Sequence, residues 1–266
     1  MKTSRIKNII IVILALVNAF LLVLLLGRQN QQRVAYERSV DQLSLLLTNN
    51  GIAFDTALLP GDASFPAAEL SHDAAAEATF ARVLLGDDAA ARSTGSGSVY
   101  ESLQGSLRFR TNGTVDGSMN CSAEDPVEFL TSVLSSLGYR VDVRSALSST
   151  GSGTVNAVRE VDGMKIFNAP LTFTCESNVL TSVSGSFLPS ITLTASTDGT
   201  DAISALVRFL DYRNHNGLVC TEITSLSRGY LLQSSAASAK LVPAWHIATD
   251  ISEYYVNSVT GEIFRE

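Results

Sequence analysis

The chain has 266 residues, 45% of them hydrophobic, with three cysteines and a formal net charge of −7. The first eight residues carry +3, which leaves −10 for the rest, and that acidic balance argues against nucleic acid and against docking on anionic headgroups. Cys121, Cys175 and Cys220 lie far apart with no C-x-x-C, which excludes a zinc knuckle or thioredoxin-type motif and falls short of a disulfide scaffold, although one bonded pair stays open.

Residues 9–26, IIIVILALVNAFLLVLLL, are apolar except for Asn18. A helix of that length spans the hydrocarbon of a bilayer, about 30 Å thick. No Ala-x-Ala pattern follows the run, so the expectation is an uncleaved transmembrane anchor over 9–27 in contact with the lipid bilayer. Lys2, Arg5 and Lys7 then favour a cytoplasmic tail, 1–8, and an extracellular C-terminal part in a single-pass protein of the cell membrane. Asn18 is placed to hydrogen-bond a neighbouring helix.

Residues 28–50 read as a juxtamembrane helix. Tyr36, Val40, Leu43 and Leu47 follow a 4-3-4 spacing on one stripe, and Asn49-Asn50-Gly51 supplies the stop. The stripe suits packing on the protein's own domain or a short coiled-coil contact with another helix. Asn18, Tyr36, Val40, Leu43 and Leu47 are therefore the candidate partner-binding residues.

The remainder reads as α+β, three units of a helix followed by antiparallel strands at 51–120, 121–190 and 191–266. In the first, Ser71 serves as N-cap with Asp73 in the first turn, and Ala74, Ala78, Ala81 and Leu85 share a face. Strands near 99–103 and 107–111 lead to Asn112-Gly113, a hairpin signal, and then to 114–119. In the second, Asp125 caps and Pro126 takes the first helical position. Val127, Leu130, Val133 or Leu134, and Leu137 form the stripe before Gly138. Strands follow at 139–143, 155–161, 164–168, 171–175 and 180–188, with Asp162-Gly163 as a turn. The third begins near Asp201, with Ile203, Leu206, Val207 and Leu210 on one face and Asn216-Gly217 as the stop. Its strands are 218–225, 229–233, 241–249 and 254–264. Ser182-Val-Ser-Gly185 and Ser258-Val-Thr-Gly261 suggest an internal repeat.

Chemical motifs are scarce. The Gly/Ser stretches at 93–99 and 149–155 lack the ending of a P-loop and read as flexible connectors. His72, His215 and His246 form no H-E-x-x-H or H-x-H, and no G-x-S-x-G or S-x-x-K occurs. No catalytic, cofactor or metal residue is nominated, and the expectation is a protein that is not an enzyme and needs no cofactor.

Several stretches carry a family likeness: Ser4-Arg-Ile-Lys7 before the apolar run, Leu46-Leu-Thr-Asn-Asn-Gly-Ile52 with Leu59-Pro60, Leu241-Val-Pro-Ala-Trp-His-Ile247, and Tyr254-Tyr-Val-Asn-Ser-Val-Thr-Gly-Glu262. Together they resemble the YycI/YycH group of regulatory proteins of Gram-positive bacteria, and the closing segment is similar to PepSY-type modules. The resemblance implies an extracellular domain of PepSY-like repeats that binds and modulates a membrane sensor histidine kinase of the WalK type, in a two-component system controlling cell-wall homeostasis. A YycH-like paralogue and a homo- or heterodimer are further partners it allows. The alternative is a PepSY-like binding or inhibitory module acting on a peptidase or cell-wall ligand through its sheet edges.

Overall fold

Period-two alternation dominates the chain beyond residue 90. In the computed structural model, which describes residues 33–60, 65–142, 147–197, 199–235 and 238–265, strands hold 47% of the described residues. Two compact units are present, Met1–Ala57 and Leu58–Glu266. In the first, residues 33–49 are helical (α1) and precede a two-residue strand, Ala53–Phe54 (β1). Gly51 turns the chain at φ +73°, and the Ile52 amide donates back to the Leu47 carbonyl at 3.0 Å.

The second unit runs β2 (Phe65–Ser71), α2 (Ala74–Leu85), β3 (Ala90–Thr94), β4 (Gly97–Ser102), β5 (Gly105–Arg110), β6 (Thr114–Ser122), α3 (Pro126–Ser135), β7 (Tyr139–Val141), β8 (Gly153–Val161), β9 (Met164–Ile166) and β10 (Leu171–Glu176). It continues with β11 (Val179–Ser186), β12 (Ser190–Thr197), α4 (Ala202–His215), β13 (Glu222–Ser234), β14 (Ala239–Thr249), β15 (Glu253–Asn257) and β16 (Ile263–Arg265). Twelve strands lie side by side in the order β16-β15-β14-β13-β9-β8-β10-β11-β6-β5-β4-β3, and β7 also pairs with β8. A separate ribbon joins β2 and β12. These pairings are antiparallel except for β9 with β13, which run parallel through Lys165↔Gly229 and Ile166↔Tyr230.

The expected α+β architecture of repeated units is thereby corrected. The protein is mostly β, with strands of the three expected units hydrogen-bonded into one large mixed sheet. Short meanders leave unpaired amides and carbonyls along their outer strands, and β6 with β11, and β9 with β13, satisfy those groups in each other. The transmembrane, signal-anchor and single-pass cell-membrane expectations are corrected as well. Among the described residues no helix is long and apolar enough to cross a membrane. Residues 33–49 carry Arg33, Glu37, Arg38 and Asp41, and α4 carries Arg208, Asp211 and Arg213. Residues 9–26, on which the anchor was placed, lie outside the described residues.

Aspartate starts each helix of the second unit. Asp73, Asp125 and Asp201 accept hydrogen bonds from first-turn amides, at 2.8–3.1 Å. The cap of α2 is thus Asp73 and not Ser71, which ends β2. Its buried face holds Phe80 and Leu84, absent from the expected alanine stripe, and even Glu77. On α4, Phe209 is buried while Val207 is exposed.

Helices α2 and α3 pack on one core with the sheet, in which Phe80, Leu130 and Leu134 meet Phe109, Val155, Phe173 and Phe187. Strand alternation puts Val155, Ala157 and Val161 of β8 on the same face as Ile166 of β9 and Tyr230 of β13. That face continues through Leu226, Ile247 and Tyr254, where α4 lays Phe209 against Tyr254, ring centroids 5.0 Å apart. The β2–β12 ribbon joins it through Ala68, Leu70, Ile191 and Leu193. Helices α2, α3 and α4 therefore cover one face of the sheet. The opposite face is polar: Arg108, Asp116, Ser184, Thr172 and Asn156 form one cross-strand row.

Turn chemistry accounts for most of the joins. Gly113 lies at φ +81°, and Asp162 and Gly163 at φ +50° and +73°, matching the two turns expected between strands. The expected strand 254–264 is instead β15 and β16, reversed at 258–262 by Asn257, whose Oδ1 accepts from the Val259 and Thr260 amides. Ser182–Gly185 lies within β11, so the two copies of the suspected repeat signature adopt different structures. The first Gly/Ser stretch is the tip of the β3–β4 hairpin and not a flexible connector. Of the expected strands 218–225 and 229–233, residues 222–225 and 229–233 belong to one 13-residue strand, β13, and 218–221 precede it.

Candidate binding groove

On the polar face, between β7–β9 and β13–β15, lies a groove of about 840 Å³. Its lining includes Arg140 and Val141 of β7, Lys165 of β9, Phe167, Ser227 of β13, His246 of β14, and Glu253 and Tyr255 of β15. Register brings these together. Ser227 stands opposite His246, and His246 opposite Tyr255, while Glu253 lies diagonally, two positions along β15.

The floor is aromatic. Phe167, His246 and Tyr255 form a triangle with ring centroids 5.1–5.3 Å apart. Phe167 reaches it because residue 229 is glycine: a Cβ there would stand 2.6 Å from the ring and 2.3 Å from the Lys165 carbonyl oxygen. Beneath the triangle, Leu231 and Ala244 close a small apolar cluster.

The rim is charged and polar. Arg140 pairs with Glu160 at 2.9 Å. His246 Nε2 lies 2.9 Å from Glu253 Oε2, and its Nδ1 lies 3.3 Å from Ser227 Oγ. The His246 side chain is 14% exposed and that of Glu253 52%, so the pair sits at the border of groove and solvent. Lys165 is exposed on the same face.

A strand edge also borders the groove. The Asp142 amide donates to the Asn156 carbonyl, and the Glu160 amide donates to the Gly138 carbonyl. Alternation then turns the backbone groups of Tyr139 and Val141 away from β8. Among the described residues β7 pairs only with β8.

A scan of protein-family models finds no match to the chain, and a search of curated proteins finds none either. Nothing in those comparisons identifies a YycI/YycH-type protein. The site therefore has to be read from its own geometry.

Of the residues nominated from sequence, Asn18 lies outside the described residues. Tyr36 is 45% exposed, Val40 is half-buried, and Leu43 and Leu47 are buried. The groove residues were missed because Ser227, His246 and Glu253 belong to no linear motif. A usable signal was present: the tight turn at 249–252 sets the β14–β15 register, which brings Glu253 beside His246. Among the described residues no group of three His, Cys, Asp or Glu side chains is placed to hold a metal ion. The three cysteines are free thiols, each with its pKa pushed up by burial.

Proposed function

We propose that the chain is a regulatory binding protein that receives an extended segment of a partner protein in the groove. The observation that carries the reading is the edge of β7 beside an aromatic floor and a charged rim. An incoming strand finds main-chain partners on that edge and pockets for alternate side chains next to it. A sensor histidine kinase of a two-component system, the partner that the resemblance implies, is the first candidate.

The test uses the purified full chain and the sensor regions of the histidine kinases of its source organism. Lys165→Glu reverses an exposed charge without touching the core, and is expected to weaken binding about tenfold or more, equivalent to about 1.4 kcal/mol. Arg92→Glu, on the distant edge strand β3, is expected to leave affinity unchanged. Absence of binding, or equal loss in both variants, overturns the reading.

A further inference from the structure

Ser227, His246 and Glu253 form a continuous chain of polar contacts across β13, β14 and β15, open to the groove. An ionised carboxylate only accepts, so in the neutral ring the proton sits on Nε2, facing Glu253. Nδ1 is then the acceptor, and the Ser227 hydroxyl donates to it. Phe167 and Tyr255, each with its ring centroid 5.1 Å from that of His246, hold the imidazole plane. The connectivity is that of a serine–histidine–acid relay with the ring nitrogens exchanged, and such relays are defined by geometry and role, not by sequence order.

We propose that Ser227 is an acylatable nucleophile, with His246 as its general base and Glu253 as the positioning residue that stabilises the imidazolium. The substrate class is a carboxylic ester lying along the groove. Ser227 Oγ attacks the carbonyl carbon while its proton passes to His246 Nδ1. Collapse of the tetrahedral adduct breaks the ester C–O bond, and the leaving alkoxide takes that proton. Water, deprotonated by His246, then attacks the acyl-serine, releasing the acid and restoring the hydroxyl. Lys165 lines the same groove and contributes positive charge to it. This step requires the groove but no partner protein, so it stands or falls apart from the regulatory reading.

The probe is diisopropyl fluorophosphate on the full chain, read by intact mass and peptide mapping. Ser227 Oγ displaces fluoride from phosphorus, and its proton leaves to His246. Expected are one adduct per chain at Ser227, none in Ser227→Ala, and a labelling rate at least about 100-fold lower in His246→Ala. Glu253→Gln, a change at a half-exposed side chain, is expected to give an intermediate rate and to shift the pH profile of labelling. Circular dichroism confirms that each variant is folded, and a variant that fails to fold is replaced by His246→Gln. Labelling scattered over several serines, no labelling, or an unchanged rate in a folded His246 variant overturns the proposal.

Discussion

Tyr139 ties two buried backbone groups of the second unit together. Its buried hydroxyl donates to the Ser186 carbonyl at 2.8 Å and accepts from the Leu188 amide at 2.6 Å. Arg159 lies over the ring at 5.7 Å and donates to the Leu188 and Glu160 carbonyls. Tyr139→Phe keeps the ring but leaves a buried amide and a carbonyl short of a partner, so a loss of about 2–3 kcal/mol is expected. Denaturant unfolding followed by fluorescence reads this directly. Trp245 is the sole tryptophan and fully buried, and its indole N–H donates to the Thr200 carbonyl at 2.7 Å. The buried tyrosines also set a pH dependence. Burial raises the Tyr230 pKa from 10.0 to about 12 and raises that of Tyr139 as well. Above pH 10 the unfolded chain gives up phenolic protons that the folded one retains. Their contribution is thus complete below about pH 10 and lost as pH climbs towards 12. Well below pH 12, tyrosinate absorbance from these two residues should appear only with unfolding; its appearance there while Trp245 emission remains native would contradict the assignment.

At the scale of elements, the parallel contact between β9 and β13 depends on Gly229. Alanine there must displace either the Phe167 ring or the Lys165 carbonyl, and a loss of about 3 kcal/mol is expected in thermal or denaturant unfolding. Nothing in the local sequence announces that requirement, because the atoms met by residue 229 belong to Lys165 and Phe167, more than 60 positions earlier. What could be read in advance was local: the Asp125-Pro126 helix start, the Asn112-Gly113 and Asp162-Gly163 turns, and most strand centres. Non-local pairing could not be read. The union of β6 with β11 and of β9 with β13 turned three expected units into one sheet, and it also built the groove. Helix faces failed where small residues misled: alanines suggested the buried stripe of α2, whereas Phe80 fills the core against Phe187, ring centroids 4.6 Å apart. The expected strand 254–264 is broken because Asn257, accepting from the Val259 amide, reverses the chain within it.

Across the whole of Leu58–Glu266, hydrogen bonding along the sheet passes from β9 to β13 through a short stretch. Besides the two paired positions there, the Asn168 side chain mimics a strand: its Nδ2 donates to the Leu232 carbonyl and its Oδ1 accepts from the Leu232 amide. A narrow junction between wide, well-paired flanks separates the cooperative blocks of a fold. Native-state hydrogen exchange should resolve the β13–β15 amides and the β8–β11 amides as two classes with different opening free energies, and Asn168→Ala should widen the difference. The groove straddles this junction, with Arg140 and Lys165 on one bank and His246 and Tyr255 on the other. Any occupant that touches both banks therefore acts as a splint. Its signature would be mechanical before it is chemical: the two exchange classes would merge into one, and the force needed to part the banks would rise with occupancy.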